Sequence, residues 1–235
     1  MQSYDTVRSG TTALEYDQGL RQYMLGVFNN MTLALGITAV ISYFIGTSPT
    51  LLSMFFGGPQ KWIFMLAPLA FVFFISFRIS SMSFASARLM LFAFAGVMGI
   101  SMATIFAVFK MASIAQAFFA TAAMFGAMSL WGYTTKRDLT KMGSFLIMGA
   151  FGLMIASLLN LFFQSGAVSM VVSGLAVIIF TGLTAYDVQN LKSLYYEVEG
   201  EEREKGGVMG ALSLYLNFIN IFTSLLNLFG VRNSE

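Results

Sequence analysis

Seven apolar stretches without a single Lys, Arg, Asp or Glu occupy most of this 235-residue chain, at residues 25–45, 62–77, 89–109, 112–131, 144–163, 168–186 and 209–229. A run of about 20 apolar residues spans the roughly 30 Å hydrocarbon core of a bilayer, and as a helix it satisfies its backbone polar groups internally. The sequence therefore predicts an all-α integral membrane protein with seven transmembrane helices. Composition agrees: 57% of residues are hydrophobic and 10% charged, whereas soluble domains carry about 25% charged residues. Two domains are expected, a polar N-terminal tail over residues 1–24 and a transmembrane domain over residues 25–230. Asp5, Arg8, Glu15, Asp17 and Arg21 in the tail do not fit a cleavable signal peptide, which begins basic and continues into a short apolar core.

Positive residues near span ends are held on the cytoplasmic side. Alternating the seven spans puts Arg8, Arg21, Arg78, Arg88, Lys136, Arg137, Lys141, Lys192, Arg203 and Lys205 on one side, and only Lys61, Lys110 and Arg232 on the other. The expected orientation has the N-terminus in the cytoplasm and the C-terminus outside. The longest internal connection, residues 188–208, carries five Glu beside Arg203 and Lys205 and reads as a solvated cytoplasmic loop. The chain has no Cys and no His, which removes disulfides, thiolate or imidazole metal sites and catalysis by either residue. No enzymatic activity and no cofactor are expected. A net charge of +2 without a basic, aromatic-interleaved patch gives nucleic acid nothing to bind. The lipid bilayer is the expected partner, and the sequence leaves homo-oligomerisation open.

Helices in lipid associate through small residues and through polar side chains that bond across helices. Ala95, Gly99, Ala103 and Ala107 form a small-residue stripe in the third span, and Gly152, Ala156 and Asn160 form one in the fifth. In the seventh span Ser213, Asn217, Asn220, Ser224 and Asn227 recur at spacings of four, three, four and three, which is one helix face. Turning those groups toward acyl chains would leave them unsatisfied. The face must look into protein or a watery cavity, so the last helix is expected at the centre. It can serve as a hydrogen-bonded seam that holds the bundle together or as a polar pathway. The sixth span ends with Thr184 and Asp187, neighbours on one helix surface. If that helix runs past Asn190, Asp187 lies deep enough to meet Asn217, about 12 Å into the last span.

Gly182-Leu183-Thr184-Ala185-Tyr186-Asp187 at the end of one span and Leu212-Ser213-Leu214-Tyr215-Leu216-Asn217-Phe218-Ile219-Asn220 at the start of the next resemble the Bax inhibitor-one family. Residues 124–139, with Phe-Gly-Ala-Met-Ser-Leu and Thr-Thr-Lys-Arg-Asp-Leu, are similar to its bacterial branch. The resemblance implies six helices around a central seventh, a bacterial inner (plasma) membrane location and a pH-sensitive calcium leak. It also implies a pair of aspartates on the last two helices and a basic residue at the end of the second helix that interacts with them. Asp187 matches the first aspartate and Arg78 the position of the basic residue, although Arg78 also reads as a topology anchor.

The family pattern Tyr-Leu-Asp-Phe-Ile-Asn is here Tyr215-Leu216-Asn217-Phe218-Ile219-Asn220. Paired carboxylates share a proton that can switch a gate. An amide offers a neutral oxygen and lowers the formal charge, so weakened or altered pH control is expected. Asp187 and Asn217 are the expected cation site, with Ser213, Asn220, Ser224 and Thr184 along the polar pathway. The alternative is a non-conducting protein that modulates a membrane-bound protease or another integral partner through its tail. An aspartyl protease would need a second intramembrane carboxylate, which the spans lack. A proton-coupled transporter remains compatible with a single intramembrane acid.

Overall fold

The computed structural model describes residues 2–233, with side chains from Gln18 onward. Residues 1–17 of the expected polar tail, and with them most of the proposed partner handle, lie outside the described side chains. Nine α-helices follow one another among the described residues: α1 (Gln2–Gly46), α2 (Pro49–Phe56), α3 (Lys61–Arg78), α4 (Phe84–Met102), α5 (Thr104–Val108), α6 (Met111–Thr134), α7 (Thr140–Phe163), α8 (Gly166–Glu197) and α9 (Gly200–Phe229). Seven helical stretches among the described residues are long and apolar enough to cross a membrane. The protein is an all-α integral membrane protein.

The first spanning stretch begins at Gln18, earlier than the apolar run starting at residue 25. Leu20 and Met24, within this added N-terminal part, are buried in the core. Between the first two spans lies the short helix α2, which the span pattern does not reveal. The Ser48 hydroxyl accepts the Leu51 amide there and Pro49 occupies the first turn, the positions where a hydroxyl and a proline suit a helix start. The third span is broken at Ala103, between α4 and α5. Ala95, Gly99 and Ala103 of its small-residue stripe are buried, but Ala107 beyond the break is exposed. Gly99 explains the tight α1–α4 approach, since a Cβ there would stand 2.9 Å from Ile41 Cβ and 3.0 Å from the Thr38 carbonyl oxygen. The α7 stripe behaves otherwise: Gly152 is exposed and faces open space, so no helix closes on it.

α9 is the centre of the bundle. In its most apolar 18-residue stretch 67% of residues are buried, against 28% or less in the other six spans. α1, α4, α6 and α8 wall it directly, while α3 is braced on α4 and α7 on α8. A buried polar relay fixes three of these helices. The Thr38 hydroxyl donates to the Ala95 carbonyl at 2.8 Å, which uses its one proton. The Tyr215 hydroxyl, 2.7 Å from the same oxygen, must then be the donor in that contact. The Tyr215 ring meets Phe94 edge-on at 5.6 Å. α6 and α7 close on α8 where side chains are missing: a Cβ on Gly132 would fall on the Ala185 carbonyl oxygen, and one on Gly143 on the Tyr186 ring.

The expected loop over residues 188–208 is instead helix. α8 runs to Glu197 and α9 begins at Gly200, which leaves Val198 and Glu199 as the joint, with Gly200 at a φ of +62°. The charged side chains signal water, and a helix that projects from the bilayer meets water without unwinding. At about 1.5 Å per residue α8 is roughly 48 Å long, well beyond the hydrocarbon thickness. Acid–base side chains secure the joint: Arg203 Nε donates to the Val198 carbonyl at 2.7 Å and its guanidinium lies 4.4 Å above the Tyr195 ring. Glu201 Oε1 accepts the Phe84 amide at 2.9 Å, tying the joint to the start of α4.

Candidate functional site

Because α8 continues for ten residues beyond Asp187, the acid sits on a rigid helix flank against α9. Ser213 and Asn217, one turn apart on α9, converge on it. The Ser213 hydroxyl donates to Asp187 Oδ2 at 2.6 Å, and the Asn217 amide donates through Nδ2 to the same oxygen at 2.7 Å. Asn217 is buried, at 4% exposure, while Asp187 and Ser213 are half-buried. One carboxylate oxygen thus clasps two successive turns of the neighbouring helix. Such charge-assisted bonds are short and stronger than neutral ones.

The geometry is a latch in its chemistry. Both partners present hydrogens to Asp187, and a cation bound by this pair would need the Asn217 amide turned so that Oδ1 faces the acid. No group of three or more Asp, Glu, His or Cys side chains suited to a metal occurs among the described residues. The Thr184 hydroxyl is fully buried but donates to the Phe180 carbonyl of its own helix at 2.8 Å. Arg78, at the end of α3, is exposed; among the described residues it forms no ion pair with Asp187, whose recorded partners are Ser213 and Asn217.

Beyond the latch, the polar face of α9 opens into a cavity of about 440 Å³ between α7, α8 and α9. Asn220 and Ser224 line it from α9, Ser169 and Ser173 from α8, and Ser157 and Asn160 from α7. Asn220 follows Asn217 by about 4.5 Å of helix rise, and its amide donates to the Leu216 carbonyl at 2.8 Å. Asn160 is spent on the α7–α8 turn, accepting the Ser165 amide at 3.0 Å and donating to the Ser165 carbonyl at 3.2 Å. The residues expected along the pathway therefore divide: Ser213 belongs to the latch, Asn220 and Ser224 to the cavity, and Thr184 to the inner wall. The α8 contribution went unread in the sequence, although Ser169 and Ser173 stand one turn apart.

A bundle of seven apolar helices, whose core helix has a polar face latched to the acid of its neighbour, defines a polytopic membrane protein built around an internal hydrophilic seam. Comparison with known proteins supplies the family. The model of the family described as inhibitor of apoptosis-promoting Bax1 matches residues 20–234, and the chain belongs to this Bax inhibitor-one family. Its relatives include a Rickettsia prowazekii protein, 40% identical over 92% of each chain. Inner membrane protein YbhL of Escherichia coli K12 is 39% identical over 91% of this chain and 93% of its own. A Caulobacter vibrioides protein is 38% identical over 92% of this chain and 91% of its own.

Proposed function

We propose that the protein is a cation leak, with calcium as the expected ion, in which the α8–α9 latch controls entry to the hydrophilic seam. The observation that carries this reading is the convergence of Ser213 and Asn217 on Asp187, about one helical turn along α9 from Asn220, which lines the polar cavity. The carboxylate attracts a cation, and the two donors hold α9 against α8 when no cation competes for Oδ2. Protonating the carboxylate would remove the charge that both donors address and loosen the latch. Arg78 is a competing charge in this reading, reaching the acid only after a movement of α3. The positive-residue asymmetry supports an orientation with the latch at the cytoplasmic end and the C-terminus outside, and the naming of YbhL as an inner membrane protein supports a bacterial inner membrane setting.

Calcium flux into proteoliposomes tests the proposal. Asp187→Asn should alter the flux and flatten its pH dependence, and Asn217→Asp should sharpen acid-activated flux by restoring a carboxylate pair. Flux equal to the parent at every pH in Asp187→Asn would remove the acid from the mechanism.

A further inference from the structure

A second built site lies on the far flank of α8 from the latch. The α6–α7 link passes over this flank, and Gln189 grips it from both sides: Oε1 accepts the Leu139 amide and Nε2 donates to the Arg137 carbonyl, each at 2.8 Å. The Thr135 hydroxyl accepts the Arg137 amide at 3.2 Å. The link therefore has a fixed course, and a cleft of about 350 Å³ opens between it and α8. Lys136 and Arg137 line it from the link, and Lys192 and Ser193 from α8.

The charge in this cleft is lopsided. Lys192 is aimed by a bond from Nζ to the Tyr133 carbonyl at 3.3 Å and by the Tyr133 ring at 5.3 Å, which leaves two of its three ammonium hydrogens for another acceptor. The one carboxylate on the cleft, Asp138, is engaged: its Oδ1 accepts the Thr140 amide at 2.9 Å and the Thr140 hydroxyl at 2.6 Å. Those bonds, with Lys141 nearby, hold the Asp138 carboxyl below the usual carboxylate range. It remains an anion that caps α7 and leaves three cations around the space. Tyr196 lines the cleft as an exposed aromatic, 55% exposed, and Trp131, 39% exposed, stands one helical turn before Thr135 on α6. Aromatic side chains of this kind mark the headgroup level of a bilayer. The ligand that matches carries an anionic phosphate in the cleft and apolar chains along the exposed helix flanks below.

We infer that the cleft formed by Lys136, Arg137 and Lys192 over Gln189 binds the phosphate of an anionic phospholipid. This assignment does not depend on the leak. A basic residue near an anionic membrane surface contributes about a fivefold gain in binding, and three cations lining one cleft concentrate that gain on a single headgroup. Zwitterionic lipids carry a compensating cation that the same cleft repels.

Trp131 is a built-in reporter, since the chain has one other tryptophan, Trp62, at the start of α3. In a Trp62→Phe background, full-length protein is reconstituted in phosphatidylcholine bilayers containing phosphatidylglycerol with brominated chains, which quench tryptophan on contact. Trp131 should be quenched more by brominated phosphatidylglycerol than by brominated phosphatidylcholine at equal mole fraction. Lys136→Gln, Arg137→Gln and Lys192→Gln should each lower that preference about fivefold, Lys136→Arg should keep it, and Lys205→Gln on α9 should leave it unchanged. An equal loss in Lys205→Gln would show general surface charge and overturn the assignment. Absence of any preference for phosphatidylglycerol, with or without a Trp131 response to inorganic phosphate, would overturn it as well.

Discussion

Replacing the two donors of the α8–α9 latch, singly and together, probes how much of the seam's closure they supply. Asn217→Leu keeps volume and removes Nδ2; Ser213→Ala removes the hydroxyl. Bonds to a charged acceptor contribute about 1.5–3 kcal/mol in water-soluble proteins, but coupling energies inside membrane proteins average about 0.6 kcal/mol and reach about 1.7. With donor distances of 2.6 and 2.7 Å to one oxygen, the upper part of the membrane range applies, near 1 kcal/mol each. If the latch holds the seam closed, each single variant should raise calcium flux at neutral pH about fivefold. The double variant should fall short of the product, because the donors share an acceptor and removing one strengthens the other. The assay is flux into proteoliposomes at matched protein content, with stability in detergent measured in parallel. Unchanged flux in Asn217→Leu and Ser213→Ala, while both remain folded, would refute the latch.

The Thr38–Tyr215 relay makes an asymmetric prediction for stability in detergent. Tyr215→Phe removes one donated bond and should cost about 1 kcal/mol. Thr38→Val orphans the buried Tyr215 hydroxyl, a donor left without its acceptor, while the Ala95 carbonyl keeps its bond within α4, and should cost about 2–3 kcal/mol; equal losses in the two variants would contradict the donor assignment. Asp138 predicts an acid effect outside the spans. Its folded carboxyl titrates below the usual range, so its cap on α7 persists above that range and is lost as pH falls through the lowered value. Amide exchange at Thr140, corrected for intrinsic rate, should therefore rise on acidification in the parent, and it should be fast at every pH in Asp138→Ala.

The parts of this fold that can be read from sequence depend on what each pattern reports. Apolar length reports contact with lipid, so the seven spans were legible while their ends were not. Residues 188–205 are polar because α8 and α9 project into water, and a hydropathy reading mistakes that projection for a loop. The four-three rhythm from Ser213 to Asn227 has no low-energy arrangement in lipid except an inward one, which is why the seam and its meeting with Asp187 could be anticipated. The cavity could not be, since it exists where α7 stands off from α9, and Gly152 and Ala156 read as a packing stripe. Arg78 shows a further limit: ending a span fixes a residue's depth but not the face from which it projects.

The absence of native cysteine permits a direct measurement of whether the inward edge of α9 meets water. Single cysteines at Asn220 and Ser224, and a control at Ile178, 67% exposed on the outer face of α8, are treated with a charged, membrane-impermeant thiol reagent in intact vesicles and in vesicles opened to both sides. The account predicts that Asn220→Cys and Ser224→Cys react while Ile178→Cys does not, and that adding Asp187→Asn speeds the reaction at Asn220. Labelling at Ile178 with protection of both α9 positions would mean that the seam is dry, and would contradict the account.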